Sequence, residues 1–132
     1  MKRDTQFSIF LVNQAGILSQ VTMALAEAGV NLYALSLSDS GEHGALRIVT
    51  SDADKTRAVL QETHDRWTET EVVLVPIGNE PGAFGHLCQY LANEGVDITY
   101  AYCTSDKDAA QTVAVMKFLN TDLAVEVINK RK

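Results

Sequence analysis

The sequence predicts an α+β fold made of two tandem copies of one small unit, each running strand, helix, strand, strand, helix. Three observations lead there. The chain resembles itself at a shift of 66 residues, apolar spacing alternates between strand and helix periods in the same order in each copy, and glycines and turn residues punctuate the changes at matching places. The shift sets Asn13 on Asn79, Gly16 on Gly82, Leu25 on Leu91, Ala26 on Ala92, Gly29 on Gly95 and Val30 on Val96. Six ungapped identities within residues 13–32 stand against roughly one expected by chance, and a period of this length is a small domain rather than a solenoid unit.

Taken in order, Phe7, Ile9 and Leu11 alternate with their neighbours as a half-buried strand does, and Val73, Val75 and Ile77 hold the shifted positions. Leu18, Val21, Thr22 and Leu25 then fall at helical spacing, as do Phe84, Leu87, Cys88 and Leu91, so each copy continues into a helix with one apolar stripe. Gly29 and Gly95 close these helices, where a left-handed residue is needed and glycine adopts it most cheaply. Residues 31–38 and 97–103 read as second strands, SDSGEHG and TSDKDAA as turns, and ALRIVT and TVAVMKF as third strands, giving a hairpin in each copy. Second helices are expected over 53–63 and 121–130, capped by Asp52 and Asn120.

In the first copy WTETEVVLVPI supplies a closing strand that runs on into the next copy's first strand. The matching segment of the second copy would fall beyond Lys132, so its sheet is expected to lack the last strand and to keep an open edge that a neighbouring chain could complete. The order strand, helix, strand, strand, helix, strand defines a ferredoxin-like sandwich, and the expected division is 1–70 and 71–132. Domains of this size are marginal alone. Phe10, Val12, Leu74, Tyr100 and Tyr102 occupy the strand positions turned away from the helices, which suggests an apolar contact between domains or in a homodimer.

Composition narrows the function. The chain has 132 residues, 46% of them hydrophobic, and a formal charge of −6, which argues against nucleic acid as a partner because such binding relies on Lys and Arg displacing counterions. Cys88 and Cys103 show no metal-ligand spacing and no disulfide framework, consistent with reduced thiols in the cytoplasm. No run approaches the roughly 18 apolar residues of a membrane span. His43, His64 and His86 have no recurring carboxylate, serine or cysteine partner at catalytic spacing, so neither an enzyme nor a cofactor is expected. Other users of this fold leave marks absent here: third-strand aromatics for RNA, a first-loop CxxC for heavy metals, or an arginine-bearing phosphate loop.

The segments NQAGIL and NEPGAF join the first strand to the first helix in each copy, and each is followed, 13 residues after its glycine, by GVNL or GVDI. On these motifs the chain resembles a tandem ACT-domain protein, a small amino-acid-sensing module whose signature is Asp or Asn, a variable residue, Pro-Gly, a variable residue and Leu. Phe84 replaces the leucine in the second copy, and Ala15 replaces the proline in the first. A helix starting after a glycine offers free N–H groups and a positive dipole end to a carboxylate. Asn13 or Asn79 can accept from an α-ammonium or cap the helix, and Asn31 or Asp97 is expected close to the same end. The resemblance implies ligand contacts at Asn13, Gln14, Ala15, Gly16, Ile17 and Leu18, at Asn79, Glu80, Pro81, Gly82, Ala83 and Phe84, and at Asn31, Leu32, Asp97 and Ile98, with sites at domain interfaces. The function implied is regulation: a free amino acid is sensed and its presence passed to a partner enzyme. The rival reading is a constitutive dimerisation subunit without a ligand.

Overall fold

A computed structural model describes residues 1–12, 14–40, 43–63 and 66–131. The elements are β1 (Lys2–Val12), α1 (Ile17–Glu27), β2 (Leu32–Ser40), β3 (His43–Thr50), α2 (Ala53–Thr63), β4 (Arg66–Gly78), α3 (Ala83–Asn93), β5 (Ile98–Cys103), β6 (Gln111–Phe118) and α4 (Thr121–Asn129). They divide into two compact units. One is Thr5–Thr70; the other joins Met1–Asp4 to Glu71–Lys132. Both β1 and β4 are therefore shared, each changing unit part-way along its length.

In the unit Thr5–Thr70 the strand order is β2-β3-β1-β4. The β1–β3 pairing is antiparallel and sets Phe7 opposite Ile48 and Ile9 opposite Leu46, all four fully buried. Val21 and Leu25 of α1 and Val59 and Leu60 of α2 join them in one core. Val21 and Leu25 lie four residues apart on α1 and Val59 and Leu60 are consecutive on α2, so each helix turns one face to the sheet. Phe10 and Val12 have the opposite parity on β1 and are about half exposed, at 48% and 50%. The alternation read from the sequence thus separates a covered face from an open one.

The unit built on Glu71–Lys132 repeats this plan with order β1-β4-β6-β5. Val73 faces Met116 and Val75 faces Ala114, and these pack with Leu87 and Leu91 of α3 and Ala124, Val127 and Ile128 of α4. Leu74 pairs with Val115, and Tyr102 pairs with Val115 from the other side, on the face turned away from that core. The expected open edge is corrected here. The chain's own first residues, Met1–Asp4, belong to this unit beside β4, so the place of the missing strand is taken from within the chain.

Arg3 secures that segment. Its guanidinium donates to both Glu71 carboxylate oxygens at 3.0 and 2.8 Å and to Asp122 Oδ1 at 2.7 Å. The other unit has an analogous cluster with a different source of arginine: Arg57 on α2 donates to Glu69 at 2.8 and 2.7 Å and to Asp54 at 3.0 Å. These hydrogen bonds from arginine hold the Glu69 and Glu71 carboxyls below the usual carboxylate range.

The helix ends follow the expected chemistry. Asp52 Oδ1 accepts from Lys55 N at 3.0 Å and Asn120 Oδ1 from Leu123 N at 3.1 Å, each an N-cap three residues upstream of its donor. Gly29 and Gly95 have φ of 79° and 75° and close α1 and α3. Val30 N donates to Leu25 O and Val96 N to Leu91 O, both at 2.9 Å, the six-to-one bond of a Schellman motif.

Candidate functional site

Both first loops are type II turns that become helices. Ile17 N donates to Gln14 O at 3.3 Å, and Gly16, third residue of that turn, has φ 89° and ψ −14°. In the second copy Ala83 N donates to Glu80 O at 3.2 Å around Pro81 and Gly82, the latter at φ 88° and ψ −7°. Proline suits the second position of this turn and glycine the third, where φ must be positive. Ala15 keeps the same turn without the proline because that position only needs an ordinary negative φ.

The same glycines are the N-caps of α1 and α3, and among the described residues no side-chain cap bond closes either helix. This departs from the capping role considered for Asn79 and contrasts with α2 and α4, whose caps are Asp52 and Asn120. Among the described residues, the first-turn N–H groups of α1 and α3 therefore lack the side-chain acceptor that the other two helices have, and neither first turn holds an acidic residue. Asn13 lies outside the described residues.

Asn79 makes different bonds. Its Nδ2 donates to Asp106 O at 2.9 Å and Ala109 O at 2.7 Å, and its backbone N–H to Ala110 O at 3.1 Å. Around it, the Glu80 carboxylate folds over Gly78, with Oε1 2.6 Å from where a β-carbon would stand. The His86 ring lies over Gly82. At the positions of Glu80 and His86 the first copy has Gln14 and Gln20, so the two turns share a backbone and differ in charge. Gln14, Ala15, Gly16, Glu80, Pro81, Gly82 and Phe84 are exposed, and Ile17, Leu18 and Ala83 are half-buried.

The remaining expected residues are not brought to these turns within a unit. Leu32 pairs with Thr50, whereas Val12, next to the first loop, pairs with His43. The turn and Asn31 thus lie at opposite ends of β3, roughly 23 Å apart at ~3.3 Å per residue. The second copy is built likewise, with Gly78 opposite Gln111 and Ile98 opposite Phe118. The expectation that Asn31 or Asp97 stands near the same end is corrected by direction: a helix between two parallel strands returns the chain to the far end before the next strand starts. There Asn31 and Ser51 bond reciprocally, Ser51 N to Asn31 O and Asn31 N to Ser51 Oγ, both at 2.9 Å, and Leu119 N donates to Asp97 O at 3.1 Å.

With two such glycine turns in one chain, the family match is decisive: the family described as an ACT domain pair covers residues 3–132. The chain belongs to the ACT domain pair family. ACT domains are regulatory amino-acid-binding modules. The structure of protein BT0572 from Bacteroides thetaiotaomicron is 34% identical to this ACT chain, over 97% of this chain and 88% of that one, with a TM-score of 0.91. The regulatory subunit of aspartate kinase from Thermus thermophilus, in a ligand-free form, shares the fold at a TM-score of 0.73 and 15% identity, over 98% and 94% of the two chains. The corresponding subunit from Thermus flavus does so at 0.65 and 16%, over 98% and 93%. No curated protein sequence matches the chain.

Two features escaped sequence reasoning. Arg3 gave no local signal, because its partners lie 68 and 119 residues away. The carbonyls of Asp106 and Ala109 gave none because any residue carries a carbonyl. Among the described residues no group of three or more His, Cys, Asp or Glu could hold a metal ion, and no helix is long and apolar enough to cross a membrane.

Proposed function

We propose that the protein is a non-catalytic cytoplasmic regulator that binds a small free amino acid at its two glycine turns and passes that signal to a partner enzyme. The observation that carries this reading is a selective difference in caps among the described residues: α2 and α4 are capped by side chains, while α1 and α3 are opened by left-handed glycines without a side-chain acceptor. Such a terminus suits a ligand carboxylate. Gln14 to Leu18 with Asn13, and Asn79 to Phe84, are the proposed contacts on this side. Asn31 with Leu32 and Asp97 with Ile98 are proposed to act across an interface, because each unit holds them at the far end of its sheet from its own turn. A second copy of the chain would supply them, which favours a homodimer. Exposed Phe10 and Val12 offer apolar surface for that association.

Signalling then follows from linkage: an amino acid shifts the protein between two states only by its differential affinity for them. The test is thermal denaturation with individual free L-amino acids. A binder of the folded state at one hundred times its Kd stabilises by about 2.7 kcal/mol, and the midpoint rises with concentration. A midpoint unmoved by every amino acid would reject the sensor reading in favour of an assembly subunit.

A further inference from the structure

The second hairpin is built differently from the first. β2 and β3 are joined by residues 41–42, whereas β5 and β6 are joined by the seven residues 104–110. This longer loop has its own internal order: Ala109 N donates to Asp106 O at 3.1 Å, Asp108 N to Asp106 Oδ1 at 3.3 Å, and Thr112 Oγ1 bonds Thr104 O across the base. The one side chain from the second glycine turn that reaches it is Asn79, among the described residues, and it does so with both amide hydrogens. Two carbonyl acceptors demand nitrogen at that end of the amide, which leaves Oδ1 as its acceptor end. Aspartate, which the ACT signature tolerates at this position, would set a carboxylate against two carbonyls.

We infer that Asn79 is a positioning residue through which an amino acid at the second turn controls loop 104–110. The inference rests on the amino-acid reading above. An α-ammonium donating to Oδ1 polarises the amide and strengthens both N–H bonds to the loop, since hydrogen bonds in series reinforce one another. Occupancy therefore tightens the loop, which carries the exposed charges Asp106, Lys107 and Asp108 to the surface.

Amide hydrogen exchange on the whole chain tests this, in wild type, Asn79→Asp and Asn79→Ala, with and without a mixture of the standard L-amino acids. The Ala109 amide is expected to exchange severalfold more slowly in wild type when the mixture is added. Without it, both variants should exchange there on the order of tenfold faster than wild type, Asn79→Asp the faster, and the mixture should no longer protect them. Unchanged protection at Leu91 and Met116 confirms that a variant is folded. If both variants lose that protection, the wild-type comparison decides alone. Equal Ala109 exchange in wild type and folded variants would overturn the inference. A mixture that raises the wild-type melting midpoint yet leaves Ala109 unchanged defeats the coupling and spares the amino-acid reading; a midpoint that does not move defeats both.

Discussion

At the residue scale, the two turns show how much one φ angle decides. Gly16 and Gly82 stand near φ 90°, where a β-carbon is penalised by about 1–2 kcal/mol. Gly82→Ala is expected to lose about that much stability in urea unfolding from the positive φ alone, since the added β-carbon would meet the His86 ring at 3.4 Å, an ordinary contact distance. The converse change, Ala15→Pro, should stabilise by about 0.4–1 kcal/mol in the same measurement, because proline presets the geometry that Pro81 already occupies in the other copy. Glycines, caps and turn proline were legible because their partners lie within a few residues, as Asp52 and Lys55 do. The bonds of Asn79 were not legible, since its side chain reaches 27 and 30 residues along the chain to groups without a side-chain signature.

Elements follow the same division between local and distant. All four helices and the alternation of β1 and β4 could be read from period and punctuation, and α4 ends one residue before its expected limit. The closing strand of the second unit could not be read, because it comes from the opposite end of the sequence and the Arg3 bonds that hold it span 68 and 119 residues. Arg3→Ala should therefore loosen that unit selectively: amide exchange in residues 71–75 is expected to quicken on the order of two- to fivefold, while the core amides of Phe7 and Ile48 keep their rates. The effect has a pH sign. Arg3 lowers the folded-state pKa of Glu71, so its stabilisation is complete above the unfolded value of ~4.3 and fades as pH falls through the lower folded value. Wild type and Arg3→Ala should accordingly converge in urea midpoint as the medium is acidified below that point.

For the whole molecule, duplication was the most legible property and assembly the least. Repeated motifs reveal two domains, but strand direction, which sends Asn31 away from its own turn, emerges only from the pairing of β1, β2 and β3. The proposed homodimer is checked by light scattering at micromolar concentration: a dimer mass is expected, and Phe10→Asp should shift it toward the monomer. The shared strands carry a different consequence for the order of the gene. Since Met1–Asp4 completes the unit that ends with α4, a circular permutant beginning at Glu71, with a short linker from the present C-terminus to Met1, would spell each unit as one uninterrupted segment. Arg3 already touches Asp122 at the start of α4, leaving the linker little more than the length of that helix to span. In that reordered chain both units become contiguous, and the break moves into β4, between Thr70 and Glu71, the point at which that strand passes from one unit to the other.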